Sequence, residues 1–305
     1  MKVCVLGAGT MGRGIAQVTA FASHEVVLRD VDEAIIQEGL DGIERALQGG
    51  VDREKFSAEQ KETTLDRITT TTDLSEAVEG VDLVVEAVPE DLDLKKGVFE
   101  EVEGNVPDDA VVATNTSSLP ITELASVLST PERAIGLHFF NPVHLMDLVE
   151  IVAAEQTTDE TLEFAEAFVE DLGKEGVVVR DAPGFATSRL GATLGIEAIR
   201  MVQDGVADPR DIDRAMELGY NHPMGPIELT DVVGLDVRLN ILEHLREELG
   251  ERYRPPQILR RKVRAGKLGK KTGEGFYVWE DGESIGVSTP GGTDSATGGT
   301  EGGDH

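Results

Sequence analysis

The glycine-rich stretch near the start of the chain restricts its fold more than any other feature. Residues 2 to 6 read as a short apolar strand, and GAGTMG follows at once and leads into a helix. Gly7, Gly9 and Gly12 have the G-x-G-x-x-G spacing, which provides a tight turn, room for a pyrophosphate and close helix packing. This order of strand, turn and helix predicts the first unit of a nucleotide-binding α/β fold.

A carboxylate at the end of the second predicted strand narrows the choice of nucleotide. Asp30 lies 21 residues after Gly9, where it can bind both hydroxyls of an adenosine ribose and repel a 2′-phosphate. Strand alternation points Arg29 to the opposite face, so NAD is favoured over NADP as the cofactor. Thr10 and Met11, inside the glycine stretch, are further cofactor-binding candidates. From this motif alone, FAD and a non-redox nucleotide remain open alternatives.

Apolar runs alternate with helical segments through the first part of the chain. This alternation predicts an α/β, Rossmann-like, mostly parallel doubly wound sheet with helices on both faces. The link between the strands at 134–140 and 147–153 is too short for a crossover helix, so that pair is predicted to be antiparallel. Other strands are predicted at 81–88, 110–114 and 175–180, and helices at 33–47 and 58–65.

The pattern changes to helix only near Ala182. We therefore predict an NAD-binding domain over 1–181 and an all-helical C-terminal domain over 182–280. The last segment, 281–305, is rich in Gly, Ser and Thr and almost free of apolar residues. Such a segment cannot bury enough surface to fold, so a disordered tail is predicted there.

The chain is strongly acidic, with 58 Asp and Glu against 28 Lys and Arg and a net charge of −30. Nucleic acid is therefore excluded as a partner. Lysines make up only 10 of the basic residues, and an acidic, lysine-poor surface is typical of proteins from salt-accumulating halophiles. At about 1 M salt the screening length falls to about 3 Å, so the self-repulsion is tolerated. The alternative is an acidic protein from an organism that does not accumulate salt.

The number of cysteines and the hydropathy of the chain indicate the cellular compartment of the protein. Cys4 is the single cysteine, so an intramolecular disulfide is excluded and a reducing compartment is favoured. No apolar run of about 18 residues is present, and the first strand starts too early for a signal peptide. A cytoplasmic protein without a membrane segment is predicted. Neither the histidines nor the carboxylates show the spacing of a metal site.

Two titratable residues lie in the least polar stretches of the chain. If the antiparallel strands are joined symmetrically about His144, His138 lies opposite Glu150, with Cβ atoms about 5 Å apart on one face. A carboxylate on one imidazole nitrogen fixes the tautomer and raises the basicity of the other nitrogen, as a general base requires. The alternatives are a structural buried pair and two exposed residues that never meet.

Six blocks of the sequence occur in a familiar order over residues 1 to 280. They are GAGTMGRGIAQ, TNTSSL, GLHFFNPVHLMDLVEIV, DAPGF, HPMGPIELTDVVGLD and GKKTGEGFY. In order and spacing they resemble the L-3-hydroxyacyl-CoA dehydrogenase family. The resemblance implies oxidation of the 3-hydroxyl of an acyl-CoA with NAD in fatty acid β-oxidation, or the reverse, by a homodimer. Because no hydratase module follows in the chain, a separate hydratase and thiolase are implied as pathway neighbours.

The resemblance also implies roles for individual residues. His138 matches the catalytic base, Glu150 the carboxylate that orients it, and Ser117 a hydroxyl near the reacting oxygen. Glu90 and Lys95 match a pair on the nicotinamide ribose side, and an exposed charge pair at a helix start is the alternative for them.

Two further polar residues belong to the candidate site. Asn115 is included among the cofactor-binding residues. Ser188 stands where the family carries an asparagine, and its shorter side chain turns a direct contact to the substrate or to Ser117 into a water-mediated one.

Three questions stay open at this stage. Eight basic residues between Arg254 and Lys271 could meet the phosphates of CoA, a partner's acidic face or the chain's own carboxylates. A dehydrogenase of the same scaffold acting on a free 3-hydroxy acid or sugar acid remains an alternative. A non-catalytic NAD(H)-responsive binding protein is the alternative from another class.

Overall fold

The structure, a computed structural model, describes residues 1–289 and 292–295. The chain forms two compact units, Met1–Phe185 and Ala186–His305. The boundary predicted from sequence, after residue 181, lies four residues before this division. Each unit contains its own cluster of buried apolar side chains.

An eight-stranded sheet forms the centre of the first unit. Its strands are β1 Lys2–Leu6, β2 Glu25–Arg29, β3 Ile68–Thr71, β4 Leu83–Glu86, β5 Val111–Thr114, β6 Ala134–Phe139, β7 Leu148–Ala153 and β8 Glu175–Arg180. The order across the sheet is β3-β2-β1-β4-β5-β6-β7-β8. All neighbouring strands are parallel except β6 and β7. The Rossmann-like sheet and its single antiparallel pair are therefore confirmed.

Helices cover both faces of this sheet. They are α1 Thr10–Phe21, α2 Glu33–Asp52, α3 Ala58–Asp66, α4 Leu74–Ala77, α5 Leu92–Glu103, α6 Ile121–Ala125 and α7 Asp159–Asp171. Successive residues of β1 enter different cores: Val3 and Val5 pack in one, and Cys4 and Leu6 in the other. A strand buried on both faces has to be apolar throughout, which explains the uninterrupted run at the start of the chain. Burial also raises the pKa of the Cys4 thiol to about 12, as expected for an inert core cysteine.

Two elements of the first unit differ from prediction. Strand β3 was not predicted, because its sequence ITTT at the edge of the sheet carries little apolar signal. Helix α2 continues to Asp52, beyond the predicted end at Leu47, through two glycines that weaken the helical pattern.

The second unit is mainly helical. Its elements are α8 Thr187–Gln203, α9 Pro209–Tyr220, α10 Pro226–Val233, α11 Leu235–Leu249, α12 Gln257–Arg264, β9 Tyr277–Glu280, β10 Glu283–Thr289 and β11 Gly292–Ser295. The buried carboxylate of Asp231 on α10 accepts hydrogen bonds from the backbone N–H groups of Phe276 and Tyr277, both at 2.9 Å. This contact attaches the small sheet to the helices.

The prediction of an all-helical domain followed by a disordered tail is wrong for the segment that forms this small sheet. Asp281 and Gly282 have φ angles of 49° and 86°, so they make a two-residue turn that pairs β10 with β9. Val287 on β10 then packs against the core of the second unit. Residues 290–291 and 296–305 of the predicted tail lie outside the described residues.

Among the described residues, none of the helices has the length and apolar character needed to cross a membrane.

Candidate active site

The turn between β1 and α1 is built so closely that two of its glycines cannot be replaced. Gly7 has a φ of +100°, and a Cβ there would lie 2.7 Å from the carbonyl oxygen of Ala87. A Cβ on Gly12 would lie 1.7 Å from the carbonyl oxygen of Gly7. Both positions therefore require glycine, because the backbone segments touch directly.

The third glycine is different, because a Cβ built on Gly9 would meet nothing within 4 Å. Gly9 is also the N-cap residue of α1 and offers no side chain to cap the helix. Thr10 and Met11 follow in the first turn, which contains no acidic residue. An open helix N-terminus of this kind attracts a pyrophosphate through its backbone N–H groups and dipole.

Asp30 lies beside this turn in a fixed orientation. Its two carboxylate oxygens each accept a backbone N–H, from Ala8 at 2.8 Å and from Val31 at 2.8 Å. The neighbouring Arg29 donates its Nε to the carbonyl of Thr72 at 3.2 Å, away from the carboxylate. An open phosphate position and a rigid carboxylate at the end of β2 fit the pyrophosphate and adenosine ribose of NAD.

His138 and Glu150 face each other across the antiparallel strands. They are partners in the β6–β7 register, and His138 Nδ1 lies 2.8 Å from Glu150 Oε2. The His138 side chain is buried and packs against the rings of Phe140 and Phe185 at centroid distances of 4.4 and 5.8 Å. The predicted register is confirmed, and the alternative in which the two residues never meet is wrong.

The contact determines what the imidazole can do. A carboxylate that accepts the proton of Nδ1 places the lone pair of the neutral ring on Nε2. It also stabilises the imidazolium that forms when Nε2 takes up a proton. The aromatic neighbours restrict the ring to this orientation, so the pair has the geometry of a preorganised general base.

A second buried polar group lies at the ends of β4 and β5. Lys95 Nζ is 2.7 Å from Glu86 Oε1 and 3.4 Å from Glu90 Oε2. The Lys95 side chain is only 1% exposed and that of Glu86 is 0% exposed. The alternative of an exposed charge pair is therefore wrong for Lys95, whereas the Glu90 side chain is 38% exposed. Thr114 Oγ1 donates to the other Glu86 oxygen at 2.7 Å, so both oxygens of this buried carboxylate have a partner.

Glu90 connects this group to Ser117. Its Oε1 accepts hydrogen bonds from Thr116 Oγ1 at 2.6 Å, from the backbone N–H of Ser117 at 3.0 Å and from Ser117 Oγ at 3.2 Å. The loop after β5 is therefore held by one carboxylate. Ser117 and His138 share no hydrogen bond in the described part of the chain.

Asn115 links the loop after β5, which carries Ser117, to the backbone of the strand that carries His138. Its Oδ1 accepts the N–H of Phe139, the residue after His138, at 2.9 Å. The structure thus gives Asn115 a positioning contact, whereas the sequence suggested a contact with the cofactor. Glu86 was missed altogether, although a charged residue inside the apolar run VDLVVEAV was a signal that could have identified it.

Two predicted features lie in the second unit. Ser188 is the second residue of α8 and is half-buried. Several basic residues between Arg254 and Lys271 pair with carboxylates of the same unit. These pairs are Arg260 with Glu243, Lys267 with Glu274, and Lys271 with Asp236.

The glycine turn, the Asp30 carboxylate beside it and the buried His138–Glu150 pair fit a nucleotide-dependent oxidoreductase. Two family models match the chain, the NAD binding domain of 3-hydroxyacyl-CoA dehydrogenase over residues 2–182 and its C-terminal domain over residues 184–279. The chain therefore belongs to the 3-hydroxyacyl-CoA dehydrogenase family and uses NAD, and the non-catalytic alternative is set aside.

Individual relatives agree with the family models. A probable 3-hydroxybutyryl-CoA dehydrogenase of Deinococcus radiodurans is 45% identical over 280 residues, which are 92% of this chain and 100% of the relative. The mitochondrial hydroxyacyl-coenzyme A dehydrogenase of Sus scrofa is 43% identical over 91% of each chain. The crystal structure of (S)-3-hydroxybutyryl-CoA dehydrogenase PaaH1 from Ralstonia eutropha has a TM-score of 0.88 at 40% identity, covering 92% of this chain and 99% of the other.

The position of Asp30 predicts the effect of neutralising it. Asp30→Asn is expected to raise KM for NADH about tenfold, because it replaces charged hydrogen bonds to ribose by neutral ones. The preference for NADH over NADPH should fall by a similar factor, since the repulsion of the 2′-phosphate is lost. Steady-state kinetics with both cofactors measures this.

A matched control lies two residues further along. Asp32 caps α2 by accepting the N–H of Ala34, and asparagine caps a helix equally well, so Asp32→Asn should leave the cofactor preference unchanged. An Asp30→Asn enzyme with wild-type preference would rule out the assigned role.

Proposed function

We propose that the chain catalyses the reversible NAD-dependent oxidation of L-3-hydroxyacyl-CoA to 3-oxoacyl-CoA, with His138 as the general base. The observation that carries this proposal is the 2.8 Å contact between His138 Nδ1 and Glu150 inside an apolar strand pair. Bound NAD supplies the acceptor for the hydride that leaves C3 of the substrate.

The proton follows a separate path from the hydride. In oxidation, His138 Nε2 takes the proton of the 3-hydroxyl, and Glu150 stabilises the imidazolium. In reduction, the imidazolium returns the proton to the oxygen of the 3-oxo group. The pair changes charge without moving, because the strand register holds both side chains.

Lys95 and Glu90 support this reaction by holding the loop after β5, which carries Ser117. Glu90 fixes the backbone and the hydroxyl of Ser117, and Lys95 in turn fixes Glu90. We assign Ser117 to the reacting oxygen of the substrate, and Glu90 and Lys95 to the nicotinamide ribose. Ser188 is assigned to the substrate through a bridging water, because serine is shorter than the asparagine of the family.

A cluster of basic groups on the first unit supports a CoA ester over a free acid. Arg53, Lys55, His144 and Lys174 line a cavity of about 230 Å³, together with Gln17, the carboxylate of Asp147 and apolar side chains. The pKa of His144 is lowered, first by burial and then by the charges of Arg53 and Lys174. Arg53, Lys55 and Lys174 outnumber the single carboxylate of Asp147 here, and an excess of cations in a chain of net charge −30 fits the phosphate groups of CoA.

The test compares a thioester with its free acid. NADH oxidation by the wild type is expected to show a kcat/KM for acetoacetyl-CoA about 100-fold or more above that for acetoacetate, because remote contacts with CoA assist the reaction at C3. Equal or better turnover of acetoacetate would support the second candidate, a dehydrogenase of a free 3-hydroxy acid or sugar acid.

The same assay, run across a KCl series, tests the halophilic origin that we propose from the acidic composition. The rate and the folded fraction should both rise toward about 1 M KCl, as screening reduces the self-repulsion of the surface. Full activity and stability in dilute buffer would show that the acidic composition has another cause.

The remaining assignments follow from the proposed reaction. We place the enzyme in the cytoplasm, in fatty acid β-oxidation or short-chain acyl-CoA metabolism, between a hydratase that forms its substrate and a thiolase that consumes its product. We also propose a homodimer, because apolar side chains on the helices of the second unit are strongly exposed, including Leu218 at 70% and Leu229 at 40%. A single-chain molar mass in light scattering would contradict the dimer.

A further inference from the structure

A cavity of about 800 Å³ lies within the second unit, and no step of the proposed reaction involves it. Its walls come from the end of α8 and the loop before α9, from helix α12, and from β10 with the residue before β9. Most of the lining is apolar and includes Val202, Ile258, Phe276 and Val287. A concave apolar surface of this size is typical of a site for a small molecule.

One wall of the cavity lies beyond the family model, which ends at residue 279. Val287 and Ser288 of β10 contribute this wall. Val287 is paired with Tyr277 of β9, and the N–H of Ser288 donates to the carbonyl oxygen of Phe276 at 2.8 Å. The cavity is therefore completed by a part of the chain to which the family match assigns no role.

Helix α12 brings two cations without a carboxylate partner to this cavity. Residues 258, 261, 262 and 265 line it, and their spacing of i, i+3, i+4 and i+7 places them on one face of the helix. In the part of the chain that the structure describes, no carboxylate oxygen lies within 4.0 Å of the nitrogens of Arg261 or Lys262. Both belong to the basic segment 254–271, three other members of which pair with carboxylates.

The exposure of the lining residues indicates the orientation of a ligand. Arg261 is exposed, Lys262 is half-buried and Phe276 is only 1% exposed. Lys262 Nζ donates to the carbonyl oxygen of Gly275 at 2.7 Å and lies 4.9 Å from the centre of the Phe276 ring. Burial lowers the pKa of the Lys262 ammonium, and a bound anion opposes that shift. The cations therefore lie at the outer side of the cavity and the apolar surface at the inner side.

The carboxylates near the cavity are already engaged. Asp208 lines the cavity, but its Oδ1 accepts the backbone N–H of Asp211 at 3.0 Å and caps α9. Glu274 forms an ion pair with Lys267, the third cation of the lining. The two cations of α12 are therefore left to bind an anion from outside the chain.

Two other occupants match the lining less well. A nucleotide base needs hydrogen-bond partners, and the hydroxyl of Ser288 in the lining already donates to Glu274 at 2.6 Å. Residues 296–305 of the same chain, ATGGTEGGDH, contain no apolar side chain larger than that of alanine. An aliphatic carboxylate matches both the apolar surface and the positive charge.

We propose that this cavity binds an amphipathic anion, a medium-length aliphatic chain that ends in a carboxylate. The aliphatic chain packs on Val202, Ile258 and Phe276, where each methylene removed from water adds to the affinity. The carboxylate lies between Arg261 and Lys262, which donate charge-assisted hydrogen bonds to it. The inference goes beyond the proposed function and does not depend on it.

Calorimetric titration of the full chain with decanoate, at one fixed KCl concentration, tests the site. The wild type should bind one decanoate per chain. Octanoate is two methylenes shorter and should bind about tenfold more weakly, because those methylenes are buried in the complex. Decan-1-ol has the same chain without the charge, so it should also bind at least about tenfold more weakly than decanoate.

Three variants locate the site. Arg261→Gln should weaken decanoate binding about tenfold, because it removes a charged donor at an exposed position. The matched control is Arg264→Gln, the same change at an exposed arginine of α12 outside the lining, and it should leave the Kd unchanged. Ala207→Phe should weaken decanoate binding at least about tenfold, because its ring occupies the cavity while both cations stay in place. Thermal unfolding checks that each variant is folded.

Several results would overturn the inference. They are the absence of saturable decanoate binding by the wild type, equal affinities for decanoate and decan-1-ol, and equal effects of Arg261→Gln and Arg264→Gln. Weaker binding of CoA by Arg261→Gln, with decanoate unchanged, would assign the α12 cations to the phosphates of CoA instead. A lower molar mass of Ala207→Phe in light scattering, with decanoate unchanged, would assign the cavity to a contact with a second copy. Turnover of acetoacetyl-CoA by the same wild-type sample tests the proposed function separately.

Discussion

His138→Gln is expected to lower kcat for acetoacetyl-CoA reduction by about 10²- to 10⁴-fold, the usual contribution of a general acid or base. Glutamine keeps a polar side chain of similar length beside Glu150, so the buried carboxylate retains a hydrogen-bond donor. The loss should therefore lie in kcat, and NADH should still bind, because the glycine turn and Asp30 are unchanged. Steady-state kinetics and a fluorescence titration with NADH measure the two parts.

The matched control is His244→Gln, a histidine on α11 with no assigned role. His244 is half-buried, and the variant should retain the wild-type rate within about twofold, because the residue has no assigned contact with substrate or cofactor. A His138→Gln enzyme that binds NADH and keeps more than a tenth of the wild-type kcat would contradict the acid–base role of His138.

Lys95→Met is expected to lower the free energy of unfolding by about 3–5 kcal/mol, because it leaves the fully buried Glu86 without its cation. The methionine has a similar volume, so a cavity does not account for the loss. Urea unfolding at a fixed KCl concentration measures the change. The freed Glu90 should also hold Ser117 less firmly, so the stable fraction of the variant should show a lower kcat.

The adjacent residue offers a close control for this prediction. Lys96 forms an ion pair with Glu123 at 2.5 Å, but both side chains are partly exposed, at 26% and 48%. Lys96→Met makes the same chemical change one position along and should cost about 1 kcal/mol or less. Equal effects of the two substitutions would show that burial does not decide the contribution of Lys95.

The sequence was sufficient to predict the contact between His138 and Glu150, because local rules determine it. The link after β6 is too short for a crossover, so antiparallel pairing follows, and pairing about the middle of the link places His138 opposite Glu150. The glycine turn was equally predictable, because Gly7 has a φ of +100° and a Cβ on Gly12 would collide with the Gly7 carbonyl oxygen within the same turn.

Other features depend on contacts between distant segments, which a single sequence does not reveal. Glu86 and Thr114 lie on neighbouring strands and meet only in the folded sheet. Strand β10 was missed because its few apolar residues acquire a core only when the Asp281–Gly282 turn folds them onto the second unit.

The length of the link between β6 and β7 is important for the pairing of His138 with Glu150. The strands end at Phe139 and begin again at Leu148, and their register alone brings His138 and Glu150 to one face of the sheet. A strand that slips by one residue turns every side chain to the opposite face. We therefore expect substitutions within the link to be tolerated, whereas a deletion that shifts the register would separate His138 from Glu150. Insertions and deletions, more than point changes, thus limit how this site can diverge.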